Sequence, residues 1–280
     1  MNSRQSTSMR RVARVPGGFT LVELMIAMAI ALFLLGGLVT ILQNVRGAYN
    51  NQQALGQLQD QQRFATMVLT DVIQAGGYFP DPVAWTPIAS LPAAGSYRAG
   101  QAFWGTYVAG GGDTIGVRYR TAIAPFNDPS GPMILCDGST NTAQGPSYAY
   151  TNTFSVRQPV GTTPGALLCQ VDNGGAAVAA PGVPIVNGVV GLQIYYGVKR
   201  DFTVNDYNVD TYLRADQMAA AGCTAVIDWG SPTAGCDWAN VAAVRVILTF
   251  TNPLAGQAGQ PATVNFERVI EVMARAGLHT

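Results

Sequence analysis

The segment from Leu24 to Leu42 constrains this chain more than any other feature, because it contains no charged residue. At about 1.5 Å of rise per residue, a helix over this segment spans the ~30 Å hydrocarbon core of a bilayer. The chain before Phe19 contains four arginines and no acidic residue, whereas Arg46 is the only basic residue soon after the run. The positive-inside rule therefore predicts a cytoplasmic N-terminus and an extracytoplasmic chain after about Val45.

The composition argues against nucleic acid as a direct partner. Charged residues make up 11% of the chain, compared with about 25% in typical soluble domains, and Lys199 is the only lysine. The formal net charge is zero, and loss of the segment before Phe19 would leave four negative charges in excess. The chain therefore lacks the clustered basic residues on which binding to a phosphate backbone depends.

The residues just before the apolar run distinguish two interpretations of it. Hydropathy alone favours an uncleaved signal anchor, since no A-x-A cleavage site follows Leu42. However, residues Gly17–Leu24 read GGFTLVEL, which closely resembles the processing site of type IV prepilins and type II secretion pseudopilins. The resemblance implies that a prepilin peptidase cuts between Gly18 and Phe19 and then methylates the new amino terminus. The basic leader would leave and the apolar helix would stay.

Glu23 is a carboxylate at the edge of an apolar helix, and an intramembrane charge is by default a functional-site hypothesis. Cleavage after Gly18 would create a cationic amine four residues from Glu23, and each neighbouring subunit in a helical stack would repeat this pair. We predict that Glu23 neutralises a neighbour's amine. Desolvation offsets much of the stability that this ion pair contributes, so its main effect is to set the register of assembly. The simpler alternative is a glutamate that lies among lipid headgroups.

A second helical pattern continues the apolar run, so that one helix is expected from Phe19 to about Ala75. Gly76 and Gly77 supply a C-terminal stop. Gly36 and Gly37 would either let the helix melt locally during assembly or pack closely against another transmembrane helix. A three-four spacing predicts one buried stripe, formed by Leu55, Leu58, Gln62, Ala65, Leu69 and Val72.

From Tyr78 onward helical periodicity disappears, and short alternating or β-branched runs predict strands. We expect an α+β, pilin-like fold in which a mainly antiparallel sheet packs on the outer half of the long helix, with the last strands central. The predicted organisation is a cleaved leader (1–18), a transmembrane and amphipathic helix (19–76) and an extracytoplasmic β-rich head (77–280), with a short helix over 215–221. The clearest strands are Thr114–Thr121, Ser147–Val156, Ala166–Val171, Val189–Val198, Val241–Thr251 and Thr263–Ala274.

Four cysteines lie in the extracytoplasmic part, where oxidising conditions favour disulfides. Three pairings are possible. We favour Cys223 with Cys236, because they are close in sequence and bracket a loop that contains Trp, Gly and Pro. Cys136 then pairs with Cys169 by elimination.

The chain lacks the patterns of common catalytic and metal sites. No G-x-S-x-G, P-loop or dinucleotide motif occurs, and the only histidine is the penultimate residue, His279. Residues Asp206–Asp210 resemble the start of a calcium loop, but Thr211 stands where the loop needs glycine and no closing glutamate follows. We therefore predict no enzyme activity, no cofactor and no metal.

Two segments of the chain resemble one particular group within the pilin class. Residues Arg63–Tyr78 resemble the helix end of PilW-type minor pilins, apart from the doubled glycine, and Gly191–Tyr196 is similar to a strand of their head. This likeness implies a non-catalytic minor pilin that joins other minor pilins and the major pilin to prime and cap a type IV pilus, which serves motility, adhesion or DNA uptake. It would sit in the inner membrane with its head in the periplasm, and later at the pilus tip or base.

Two alternatives to this role stay open. The first is a minor pseudopilin of type II secretion, which shares the N-terminal processing site. The second is a membrane-anchored periplasmic enzyme or receptor, which would retain the leader.

Overall fold

The computed structural model describes residues 18–79, 86–120, 134–139, 149–173, 182–201, 208–223 and 235–273. The chain divides into two compact units between Gln53 and Ala54. The described part of the first unit is helical apart from residues 18–20, and the second unit contains all the described strands. The helix α1 spans Leu21–Gln74, and a short helix α2 spans Pro87–Ser90. The strands are β1 Phe103–Thr106, β2 Thr114–Arg120, β3 Ala149–Arg157, β4 Ala166–Asn173, β5 Val183–Asn187, β6 Val189–Val198, β7 Thr211–Leu213, β8 Val241–Thr251 and β9 Thr263–Glu271.

The end of α1 explains the doubled glycine. The helix ends at Gln74, one residue before the predicted end. Gly77 then adopts a left-handed φ of 81°, and its N–H donates to the carbonyl of Arg118 in β2. At Gly76 a Cβ atom would collide with the ring of Phe103 in β1. One glycine therefore ends the helix, and the other lets it approach the sheet.

The head contains two antiparallel sheets, whereas the sequence predicted one. Five strands follow the order β1-β2-β3-β4-β5, and four follow the order β7-β6-β8-β9. All six predicted strands are present, and the α+β fold class is confirmed. The predicted helix at 215–221 is a single 3-10 turn at Ala215–Gln217. Three strands that the sequence did not indicate, β1, β5 and β7, have three to five residues each.

The prediction that the last strands are central is correct for β8 and wrong for β9. Strand β8 lies between β6 and β9. Its alternate residues are buried in the core, namely Val244, Val246, Leu248 and Phe250. Strand β9 is the edge of its sheet, and most of its side chains are exposed. Its charged residues Glu267, Arg268 and Glu271 are typical of an edge strand, because charges there discourage pairing with other chains.

The second unit has one hydrophobic core, to which α1 and both sheets contribute. Of the predicted stripe on α1, Leu58, Ala65, Leu69 and Val72 are buried and Gln62 is half-buried. Leu55 is 37% exposed, so the buried part of α1 begins one turn later than predicted.

Asp113 joins the two sheets. It stands just before β2, is 2% exposed, and its Oδ2 accepts a hydrogen bond of 2.9 Å from the N–H of Ile194 in β6. Its Oδ1 accepts a second hydrogen bond of 2.8 Å from the N–H of Val108. The carboxylate thus satisfies two backbone donors, one in the loop before β2 and one in β6, and backbone hydrogen bonds of Leu192 with Gly111 and Asp113 join the same two segments.

We expect Asp113→Ala to lower the free energy of unfolding by about 3 kcal/mol, because two buried N–H groups lose a charged acceptor. Urea unfolding of the full chain in detergent micelles, followed by tryptophan fluorescence, measures this change. Asp216→Ala is the matched control, since Asp216 lies on the surface in an ion pair with Arg214 and should change stability by under about 0.5 kcal/mol. Equal effects of the two substitutions would contradict a role for Asp113 between the sheets.

Candidate functional site

Thr20 and Glu23 form the beginning of α1. The N–H of Glu23 donates to the Thr20 hydroxyl at 3.3 Å, and the N–H of Leu24 donates to the Thr20 carbonyl at 3.2 Å. Thr20 is therefore the N-cap, and Glu23 occupies the first turn, where a carboxylate interacts favourably with the helix dipole. The T-x-x-E spacing of Thr20 and Glu23 is the sequence pattern of a capping box, and it indicates this N-cap.

The peptide bond between Gly18 and Phe19 lies outside the helix. Residues 18–20 precede α1 without regular structure, and the Phe19 side chain is 84% exposed. Among the described residues, no atom beyond its chain neighbours lies within 4 Å of the position a Gly18 side chain would take. An accessible, non-helical peptide bond is what a peptidase requires. The predicted leader, apart from Gly18, lies outside the described residues.

By length and composition α1 is the one described helix that is able to cross a membrane. Its large apolar side chains from Leu21 to Val45 are all exposed within the first unit. Apart from the helix's own backbone, no atom of the described residues lies within 4 Å of the position a side chain would take at Gly36 or Gly37, and the Thr40 hydroxyl donates to the carbonyl of Gly36 at 3.0 Å. These glycines therefore have no close neighbour within the described part of the first unit.

The part of α1 in the second unit has two different faces. Leu58, Ala65 and Leu69 contact the core, whereas Phe64 and Met67 are 47% and 53% exposed. Large apolar side chains on the outer face of a helix mark a surface that can bind another protein.

The structure forms the two disulfides that the sequence favoured. Cys136 pairs with Cys169 in β4, with Cα atoms 5.9 Å apart, and Cys223 pairs with Cys236, with Cα atoms 4.7 Å apart. The N–H of Cys136 also donates to the Asn152 side chain in β3 at 2.9 Å. The first disulfide therefore fastens residues 134–139 to the five-stranded sheet.

An ion pair holds the segment beside the second disulfide. Asp237 follows Cys236, is buried, and accepts hydrogen bonds from the Arg200 guanidinium and from the N–H of Ala219. The disulfide and the ion pair together fix the described residues around Cys223 and Cys236.

The possible calcium segment is only partly described, because Asp206 and Tyr207 lie outside the described residues. The Asp210 carboxylate accepts hydrogen bonds from the backbone N–H groups of Asp201 and Arg200, which lower its pKa. These bonds give Asp210 a structural role. Within the described ranges no group of three or more His, Cys, Asp or Glu side chains could hold a metal ion, and His279 falls outside those ranges.

Comparison with known families gives two matches. Residues 15–39 match the prokaryotic N-terminal methylation motif, which covers the GGFTLVEL sequence and much of the apolar run. Residues 153–269, from β3 to β9, match the type IV pilus-assembly protein W family, PilW. No curated protein matches the chain.

A distant structural likeness accompanies these matches. The type IV-like pilin TTHA1219 from Thermus thermophilus aligns over 79% of this chain and 98% of its own, with a TM-score of 0.39 and 13% sequence identity. At this TM-score the assignment depends on the two sequence matches. The methylation motif implies processing by a prepilin peptidase, and with the apolar helix it indicates membrane anchoring. The chain is thus similar to type IV pilins of the PilW family, with the methylation motif at its N-terminus and the PilW match in its head.

Proposed function

We propose that this protein is a minor pilin that primes and caps type IV pilus assembly. The proposal depends on two features that occur in one chain: a methylation motif that extends into an exposed apolar helix, and a PilW match in the head. We assign residues 1–18 to a cleaved leader, 19–76 to the assembly helix and 77–280 to a periplasmic head. The protein would wait in the inner membrane before it enters the pilus at the tip or base.

Cleavage after Gly18 changes the electrostatics of the N-terminus. It removes four arginines and creates an amine at Phe19, which methylation leaves cationic. Glu23 is the only charged residue between this amine and Arg46, so the apolar segment carries one charge of each sign. In lipid these two charges need partners. A neighbouring pilin supplies both partners, since its Glu23 equivalent can accept from the amine and its amine can neutralise Glu23.

The outer face of α1 supports the same conclusion. The apolar residues before Arg46 can contact lipid while the subunit is stored in the membrane, but Phe64 and Met67 lie well beyond that segment in the sequence. Their exposed apolar surface is removed from water when helices of neighbouring subunits pack together. The partners that this requires are other minor pilins and the major pilin.

The PilW match favours a pilus over a secretion system, and a structural role over catalysis. A minor pseudopilin of type II secretion would be processed at the same site, so processing alone does not separate the two. Presence of the protein in extracellular pili would distinguish a minor pilin from a minor pseudopilin.

The test is the intact mass and N-terminal sequence of this protein from two native fractions, the inner membrane and sheared pili. We expect N-methyl-Phe19 as the first residue in both fractions, because leader removal precedes assembly. A chain that begins at Met1 would support an ordinary membrane anchor. A processed chain that occurs in membranes but not in sheared pili would support a pseudopilin.

A further inference from the structure

The outer face of the five-stranded sheet carries a cleft of about 280 Å³. Trp104, Gly116, Thr153 and Gln170 stand opposite one another on β1, β2, β3 and β4, and form its floor. The segment 94–97 forms one wall, because it folds over the strands and brings Tyr97 above the sheet.

Gly116 makes room for Tyr97 in this cleft. A side chain at this position would point into it, and a Cβ atom would collide with the Tyr97 hydroxyl. The Tyr97 hydroxyl thus lies over Gly116 in the middle of the floor, and Trp104 stands beside Gly116 on β1. Trp104 is held in place by its packing on Trp238, with ring centroids 4.9 Å apart.

The next row of the sheet sets the charge of the cleft. Arg118, Thr151 and Asp172 are neighbours across β2, β3 and β4. The Arg118 guanidinium is buried under the Tyr97 ring, 4.9 Å from the ring centroid, and its Nη2 donates to the carbonyl of Pro92. Asp172 lines the cleft and interacts electrostatically with Arg118, so the pair is neutral overall.

Neutral hydrogen-bonding groups dominate the rest of the lining. They are the hydroxyls of Thr114, Thr151 and Thr153 and the amide of Gln170. Among the described residues the hydroxyls of Thr151 and Thr153 have no hydrogen-bond partner. Burial raises the pKa of the Tyr97 phenol above its usual range, so that its hydroxyl also stays neutral.

We propose that this cleft binds one ring of a neutral saccharide. A pyranose ring has an apolar C–H face that can stack on an aromatic ring, and a rim of hydroxyls that donate and accept. Tyr97 and Trp104 match the first property, and the threonine hydroxyls, Gln170 and Asp172 match the second. The volume of the cleft lies just below about 300 Å³, the lower limit of sites that enclose drug-sized ligands, which fits a single ring of a longer chain.

Charge disfavours two other ligand classes. A nucleotide or another phosphate ester would meet the Asp172 carboxylate, while the Arg118 guanidinium is covered by Tyr97 and is not part of the lining. A long apolar ligand would cover the hydroxyls of Thr151 and Thr153 without offering them hydrogen bonds, at a cost of about 1–3 kcal/mol for each buried group.

Saturation-transfer NMR with the full chain in micelles of lauryldimethylamine oxide tests this proposal. This detergent has no sugar headgroup that could compete. The probes are chitotriose, which has the N-acetylglucosamine chemistry of cell-wall glycan, and cellotriose and maltotriose, which represent extracellular glucans. We expect transfer to the ring C–H protons of at least one probe, with a dissociation constant on the order of 1 mM. The probe that binds distinguishes the two sources.

Matched substitutions locate the binding. Thr153→Val and Gln170→Ala should each weaken binding at least fivefold, whereas Thr249→Val, on a strand of the other sheet, should not change it. Trp104→Phe keeps a ring against Trp238 and should retain part of the binding. No transfer to any probe, transfer that the cleft substitutions leave unchanged, or binding of tetra-alanine alone would overturn the proposal. Since the measurement needs no pilus, its failure would leave the assembly role unaffected.

Discussion

Replacement of Glu23 by alanine should reduce the amount of this protein in sheared pili at least tenfold, while cleavage after Gly18 continues. Glu23 is the only charged residue from Phe19 to Val45, so its loss leaves the amine of a neighbouring subunit without a carboxylate in lipid. An unpaired charge costs about 2.5 to 3.5 kcal/mol at the bilayer centre on insertion scales and less toward the interface, and tenfold corresponds to about 1.4 kcal/mol. A tenfold loss therefore needs only about half of that cost.

The competing explanation is that Glu23 only stabilises the helix N-terminus, beside Thr20. Such a contribution is about 0.3 to 1 kcal/mol, too small for a tenfold loss. Glu23→Gln keeps the shape and removes the charge, Glu23→Asp keeps the charge, and Asp60→Ala removes an exposed acid further along α1. Immunoblots of sheared pili and membranes should show a loss with Gln, partial recovery with Asp and no effect of Asp60→Ala. Normal incorporation of the Glu23→Gln protein would contradict the pairing.

The sequence predicts α1 and the six longer strands well because the signals for them are local. In β8 the alternation from Val244 to Phe250 reports directly which face is buried. The glycine pair after α1 likewise predicts a stop, although only the structure explains both glycines, one by its φ and one by contact with Phe103.

The short strands depend on their partners and not on their own residues. Strand β7 has three residues and pairs only with the end of β6, from Tyr196 to Val198. Strand β5 contains Pro184 and lies at an edge, where proline is tolerated. Nothing in either segment alone indicates a ladder.

The division into two sheets occurs at a single residue. Gly188 separates β5 from β6, has a φ of 81°, and its N–H and carbonyl bond to Gly165 and Thr251 respectively. From the sequence, Asn187-Gly188 between two apolar runs is typical of a hairpin turn, which would have kept both strands in one sheet. Only the register of β4 and β8 reveals that the chain changes sheets there.

The same limit applies to the two sites. The processing site is contiguous in the chain, so its residues could be recognised from the sequence alone. The saccharide cleft combines alternate residues of four strands with a covering segment, and its floor depends on which residue of β3 lies opposite Gly116. Register of this kind follows from tertiary packing, so the cleft could not be predicted from local patterns.

Removal of the Cys136–Cys169 disulfide should lower the free energy of unfolding by about 3 to 4 kcal/mol, the larger of the stability changes expected from the two disulfides. The bond closes a loop with a sequence separation of 33 residues, compared with 13 for Cys223–Cys236. Loop-closure entropy predicts about 3.7 kcal/mol for the first and about 2.9 kcal/mol for the second. Both cysteines of the first pair are buried, so alanine is the preferred replacement because it introduces no hydroxyl without a partner.

Urea unfolding of the two double Cys→Ala variants, as full chains in micelles, compares these values directly. A reducing agent should destabilise the unmodified protein by about the sum of the two effects, and each variant only by the effect of its remaining disulfide. The Cys136–Cys169 pair should dominate because it also holds residues 134–139, which otherwise contact β3 through the Asn152 side chain. A larger loss for the Cys223–Cys236 variant would mean that the shorter loop, beside the Arg200–Asp237 ion pair, stabilises the head through packing more than through loop entropy.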